Sequence, residues 1–318
     1  MGLNKLVEYL AAELGIANKT LLEKDILLHR VLCGLLEDEF FKANFVFKGG
    51  TCLTKCYLGY YRFSEDLDFT WIRQEEFYRK SQKELRKILS AKMVKIIAVL
   101  QLVAAQTHLD FNPDKANRRY IELGGSNKFC TFKLWYPSAL LDQEQMIKVQ
   151  INFVEFFQYP FRKCPARSLL ENLKTKEFHF LFPEEAVLLR KPELECYSLK
   201  EILVEKFRAI LTRRNVKARD FIDIFLIANK EQIDPVTLRK KIIEKTAFML
   251  RYDKYLQNLR NFQLEKFVLG EEKKLLLKPL PKGFALFLQE MPAFIIGMAE
   301  DLQQKSVKAR GGNNELLR

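Results

Sequence analysis

The spacing of apolar positions changes period several times along the chain, and each change predicts an element. Leu21, Leu22, Ile26, Leu27, Val31 and Leu35 recur at nearly 3.6 residues, and Thr20 and Glu23 have capping-box spacing, so the first forty residues are predicted helical. Asn44-Phe-Val-Phe-Lys48 is a short buried-strand pattern that stops at Gly49-Gly50. A helical segment is predicted from Thr51 to about Leu58, followed by a polar loop at Arg62-Phe-Ser64. In Asp66-Leu-Asp-Phe-Thr-Trp71 carboxylates alternate with apolar residues, the period of a half-buried strand. Residues 74–107 read as one long helix. Arg119–Leu123, Phe129–Tyr136 and Ile147–Phe156 are strand candidates, the first two joined by a hairpin across Gly124-Gly125-Ser126-Asn127.

Beyond Pro160 the pattern turns helical. Ser198 and Glu201 form a second capping-box pair opening a helix to about Arg214, Lys217–Asn229 is another, and Asp234-Pro235 starts a third. Helical periodicity continues to about Gln304, and the polar Lys305–Arg318 is expected to be a flexible tail. The expected fold class is α+β: a first lobe over 1–162 with a small mixed sheet and N-terminal helices, then a mainly helical lobe over 163–304.

Composition narrows the classes. Among 318 residues, 48% are hydrophobic and 12% aromatic, enough for a real core, so global disorder is excluded. The net charge is +13, of which +10 falls after residue 160. That field favours a polyanion, nucleic acid before anionic membrane. The six cysteines include no Cys-x-x-Cys pair and only three histidines are present, which argues against a zinc site of ordinary spacing. Cys52 and Cys56, at i and i+4, are expected to be small buried residues rather than metal ligands or disulfide partners. His29, His108 and His179 are given ordinary roles, and Phe153, Phe156, Phe157 and Tyr159 are assigned to core. The apolar run Met93–Ala105 is short and broken by Lys95 and Gln101, so no membrane span is expected, and the chain reads as reduced, soluble and cytoplasmic.

The candidate chemistry lies between residues 49 and 68. Alternation along a strand puts Asp66 and Asp68 on one face, where two like charges repel unless a cation lies between them or one takes a proton. Hard oxygen ligands of this kind suit Mg²⁺ or Mn²⁺, which take further ligands from substrate phosphates. Gly49-Gly50-Thr51, after a strand and opening a helix, lets backbone approach a phosphate closely and points N–H groups at it. Arg62 and Ser64 add phosphate-binding donors.

Lys48-Gly-Gly-Thr-Cys-Leu-Thr-Lys-Cys-Tyr, followed by Arg62-Phe-Ser-Glu-Asp-Leu-Asp-Phe69, resembles the nucleotidyltransferase signature of the AbiEii toxin family of type IV toxin–antitoxin and abortive-infection systems. A second family motif is matched downstream by Glu205-Lys206-Phe-Arg-Ala209 and Arg219-Asp220-Phe-Ile-Asp223. The resemblance implies a nucleotidyltransferase-fold N-terminal lobe, a helical C-terminal lobe, and an NTP bound at the cleft with Mg²⁺ or Mn²⁺. It implies Asp66 and Asp68 as metal-binding and catalytic carboxylates. Gly49, Gly50 and Thr51 match the phosphate turn, Thr51 standing where Ser is common. Lys206 matches the NTP-phosphate lysine and Asp220 the acidic residue of the second motif. In several members the acceptor is the 3′ end of tRNA, and a cognate antitoxin protein is implied as partner. The expected function is therefore transfer of NMP to an RNA 3′ hydroxyl, tRNA first. Transfer to a protein hydroxyl, and a non-catalytic basic RNA- or partner-binding protein on a decayed fold, are the alternatives. One departure supports the last: Lys148, Gln150 and Asn152 form the polar face of the neighbouring strand, without a third carboxylate, and Glu155 has the opposite parity.

Overall fold

A computed structural model describes residues 2–311 apart from Ser126, Lys174, Glu265 and Lys266. The chain is α+β and divides into two compact units. The first runs through Glu155 and resumes over Phe161–Tyr197; the second takes Phe156–Pro160 and the chain from Ser198 onward.

The first unit carries α1 (Leu3–Leu14), α2 (Lys19–Glu37), α3 (Glu39–Asn44), β1 (Phe45–Lys48), α4 (Gly49–Cys52), β2 (Asp66–Trp71), α5 (Gln82–Gln106), β3 (Ile121–Gly124), β4 (Phe129–Pro137), β5 (Glu144–Asn152), β6 (Phe161–Pro165), α6 (Thr175–Leu181) and β7 (Glu193–Tyr197). Its strands form one seven-stranded mixed sheet in the order β3-β4-β5-β2-β1-β7-β6. β1 lies antiparallel to β2 on one side and parallel to β7 on the other, while β5 lies parallel to β2. In β2 the alternation is realised as read: Leu67 and Phe69 are buried, and Asp66 and Asp68 are half-buried. An aromatic cluster fills the core beside this pair, with Phe41 stacked on Phe45 at 4.5 Å and edge-on to Phe69 at 4.9 Å.

The sheet is larger than expected, because β6 and β7 return the segment after residue 162 to the first unit. Their pairing, with Arg162 opposite Cys196 and Cys164 opposite Leu194, is long-range, and five-residue strands flanked by Pro160 and Pro192 leave little periodic signal. Other boundaries shift for local reasons. Asn18, not Thr20, caps α2 by accepting from Leu21 N at 3.1 Å. Glu23 is instead buried and accepts from Ser138 Oγ and Ala139 N at 2.7 and 2.6 Å. The long helix begins only at Ser81, where Ser81 and Glu84 form a complete capping box, and residues 74–77 are a separate 3₁₀ turn. The third strand candidate, placed at 147–156, spans Glu144–Asn152.

By length and composition α5 is long and apolar enough to cross a membrane. Its apolar residues are nevertheless largely used inside the unit: Leu89, Ile96, Leu100 and Val103 are buried, and Gly34 of α2 admits Val103 so closely that a Cβ there would lie 3.1 Å from it.

In the second unit α7 (Leu199–Thr212), α8 (Ala218–Glu231), α9 (Arg239–Met249), α10 (Asp253–Arg260) and α11 (Phe284–Gly311) are the helices, and its described residues contain no strand. Ser198 caps α7 by accepting from Glu201 N. The Glu201 carboxylate does not close the box. It is buried against Lys245 Nζ at 2.6 Å and accepts from the Gln158 and Tyr159 N–H groups at 3.0 and 2.9 Å, which ties the 156–160 segment to α7 and α9. Phe156 stacks on Phe248 in the same unit. Of the expected tail, residues 305–311 continue α11, and 312–318 lie outside the described residues.

Candidate active site

β1 ends where Lys48 caps α4 in an extended conformation, and Gly49 follows at φ +78°, a left-handed value that favours glycine. The same residue is forced to lack a Cβ by packing: an added one would lie 2.3 Å from Asp68 Oδ2. At Gly50 it would lie 2.7 Å from Arg62 Nη2 and 2.9 Å from Ser64 Oγ. The two glycines are thus the floor on which Asp68, Arg62 and Ser64 rest. Thr51 is buried, with its Oγ1 2.8 Å from Ser64 Oγ and bonded to the Asp66 carbonyl, so the turn is laced to the start of β2. Arg62 is 1% exposed and donates through Nη1 to the Phe63 carbonyl at 2.8 Å. A helical path continues from α4 through a π-helical turn over Leu53–Leu58, so the N–H groups of its first turn have no partner within the helix.

Register completes the polar face. Asp68 sits between Lys48 of β1 and Gln150 of β5, and Asp66 lies beside Lys148. Two half-buried carboxylates on one strand face, with the Gln150 amide as a strand neighbour and bordered by a cradle that a Cβ at Gly49 would fill, form an oxygen donor set that fits a hard divalent cation. β5 sets no carboxylate beside Asp66 or Asp68: its one carboxylate, Glu144, begins the strand, pairs across to Pro137 and is bound to Arg119. Glu155 lies past the strand's end, where alternation no longer applies; it is buried, its N–H donates to Gln74 Oε1, and its carboxylate is 3.6 Å from Lys48 Nζ. It serves as counter-ion to the lysine that precedes the turn. Lys148, whose place beside Asp66 depends on strand pairing, is the basic residue of this face that sequence reading left out of the site.

The remaining site candidates belong to the second unit. Lys206 on α7 contacts Asp220 Oδ1 at 2.8 Å and Asp223 Oδ2 at 2.6 Å on α8, and Arg213 also pairs with Asp220. Asp220 and Asp223 are 1% and 0% exposed. Burial alone would raise the Asp220 carboxyl, but the charges of Lys206 and Arg213 prevail and hold it below the usual carboxylate range. Gly49, Gly50, Thr51, Arg62, Ser64, Asp66 and Asp68 are therefore brought together in one unit, and Lys206 and Asp220 in the other.

Residues 30–299 match the family described as Nucleotidyl transferase AbiEii toxin, Type IV TA system. Two solved structures from Helicobacter pylori are similar in outline: JHP933, with 17% identity and a TM-score of 0.42 over 92% of this chain and 97% of that one, and a protein described as a putative nucleotidyltransferase, with 16% identity and a TM-score of 0.41 over 92% and 98%. No curated protein matches the chain significantly.

Proposed function

The chain belongs to the AbiEii family of nucleotidyltransferase toxins of type IV toxin–antitoxin systems, and from that premise we propose that it transfers NMP from an NTP to an RNA 3′ hydroxyl, with tRNA as the first acceptor to test. The observation that carries this reading is the packing of Asp68 on Gly49, with Asp66 on the same strand face.

In this reading the acceptor oxygen attacks the α-phosphorus, the bond to the bridging oxygen breaks, pyrophosphate leaves and the hydroxyl proton passes to solvent. Asp66 and Asp68 would hold Mg²⁺ or Mn²⁺, which would supply charge neutralisation at the phosphates. Gly49, Gly50 and Thr51 present backbone N–H groups to phosphate oxygens. Buried Arg62 holds the turn in shape, and Ser64, braced by Thr51, orients a hydroxyl beside it. Lys206 is assigned to the triphosphate. Asp220 is assigned to positioning Lys206 rather than to proton abstraction, since a buried carboxylate paired with two cations is a weak base. The basic charge after residue 160 would contact RNA phosphates, giving affinity rather than sequence choice.

The test is incubation of the full chain with α-labelled NTPs, total tRNA, and Mg²⁺ or Mn²⁺. Label in RNA is expected with wild type and lost in Asp66→Asn at unchanged circular dichroism. Label in a protein band instead, or none with any NTP, overturns the RNA reading.

A further inference from the structure

Four of the six cysteines converge behind the phosphate turn. Cys52 ends α4, Cys56 follows one turn later within the π-helical segment, Cys196 lies on β7 and Cys164 on β6. The Sγ atoms of Cys52, Cys56 and Cys196 all lie within 4.8 Å of one another, and all three residues are buried. Cys56 and Cys196 are 3.7 Å apart at sulfur. Antiparallel pairing of β6 and β7 puts Cys164 diagonal to Cys196 on the same sheet face, and Cys164 is only half-buried. The remaining cysteines do not join them: the Cys33 and Cys130 thiols face the backbone carbonyls of Val187 and Asn127.

The expectation that Cys52 and Cys56 are buried holds, but burial as small apolar residues does not account for a third sulfur brought to them from a strand distant along the chain. A tetrahedral thiolate site with metal–sulfur bonds of about 2.3 Å has sulfur–sulfur edges of about 3.8 Å. Among Cys52, Cys56 and Cys196 one edge already has that length, and the other two need to close by at most about 1 Å, within reach of small side-chain rotations.

We propose that Cys52, Cys56 and Cys196, with Cys164 as fourth ligand, form a soft-metal site for Zn²⁺ that pins the helix carrying Gly49-Gly50-Thr51 to β6 and β7. Binding replaces up to four thiol protons, which are released to solvent, with up to four metal–sulfur bonds and no change of oxidation state. The widened π turn over Leu53–Leu58 is what sets Cys56 beneath Cys52, and π turns of this kind recur at functional sites. The site is distinct in ligand type from the oxygen-lined face of Asp66 and Asp68, so its existence does not depend on the nucleotidyl-transfer reading.

The test is titration of the chelator-treated, reduced full chain with Co²⁺, followed by displacement with Zn²⁺. One equivalent of cobalt should produce tetrahedral visible bands and sulfur-to-cobalt charge transfer, both lost on adding Zn²⁺. Cys33→Ser and Cys130→Ser should keep the bands. Cys196→Ser should lose them, and Cys164→Ser, the change at the half-buried position, should keep a weaker, shifted spectrum if Cys196→Ser fails to fold. Zn²⁺ should raise the thermal midpoint of wild type but not of Cys196→Ser. The proposal is overturned by absence of thiolate bands, by bands that survive Cys52→Ser and Cys196→Ser together, or by mass spectrometry showing an internal disulfide with no metal uptake.

Discussion

At the scale of single residues, two contacts set measurable consequences. Gly49→Ala introduces a side chain at φ +78° and a Cβ 2.3 Å from Asp68 Oδ2. The backbone penalty is about 1–2 kcal/mol, whereas a carboxylate displaced by about 1 Å costs roughly 100-fold in rate. Single-turnover transfer is therefore expected to fall far more than the urea midpoint; undiminished transfer would remove this turn from the active site. His29 gives a pH dependence. It is fully buried, its Nε2 lies 3.1 Å from the Arg190 carbonyl, and burial first, then the charge of Lys55, lowers its pKa from 6.5 to about 3. The native state keeps it neutral while the unfolded chain takes a proton below pH 6.5. Its contribution is thus complete above that value and is lost as pH falls towards 3, reaching about 2 kcal/mol of lost stability by pH 5. Urea midpoints at pH 7 and pH 5 should differ more for wild type than for His29→Gln.

Elements are held by the same kind of long-range polar contact, which is where local sequence patterns and structure part. Ser81 and Glu84 close their capping box, while Thr20 with Glu23 and Ser198 with Glu201 do not, because both glutamates are drawn into tertiary contacts. Lys245 and Glu201 are both fully buried and join α9 to α7. Removing one partner leaves an uncompensated charge, so Lys245→Met is expected to destabilise the protein by about 3–5 kcal/mol. Adding Glu201→Gln should recover part of that loss in urea unfolding; a double variant no better than the single one would show that the pair acts through packing alone.

Across the whole molecule the charge of +13, concentrated after residue 160, predicts how an RNA would be held. Phosphate neutralisation releases counterions, so the logarithm of affinity should fall linearly with the logarithm of salt, by about 0.7–0.9 per phosphate contacted. Fluorescence anisotropy of labelled tRNA with Asp68→Asn, whose turnover is expected to be blocked, gives that slope directly. Affinity unchanged between low and moderate salt would contradict backbone contact as the source of binding.

The sequence alone determined those features whose cause is local. The apolar run into Gly49-Gly50, the carboxylate alternation of β2 and the amphipathic periods of α7 and α8 depend on neighbours within one or two turns, so they are legible without a fold. The turn and both aspartates of the candidate site fall in that class. Tertiary structure alone decided the rest. It recruited β6 and β7 to the sheet, set Lys148 beside Asp66, gave Lys206 its two buried carboxylates, brought Cys196 to Cys52 and Cys56, and set Cys164 diagonal to Cys196. Each of these depends on pairing between segments distant along the chain, and no periodicity within one segment encodes what a distant one will place against it.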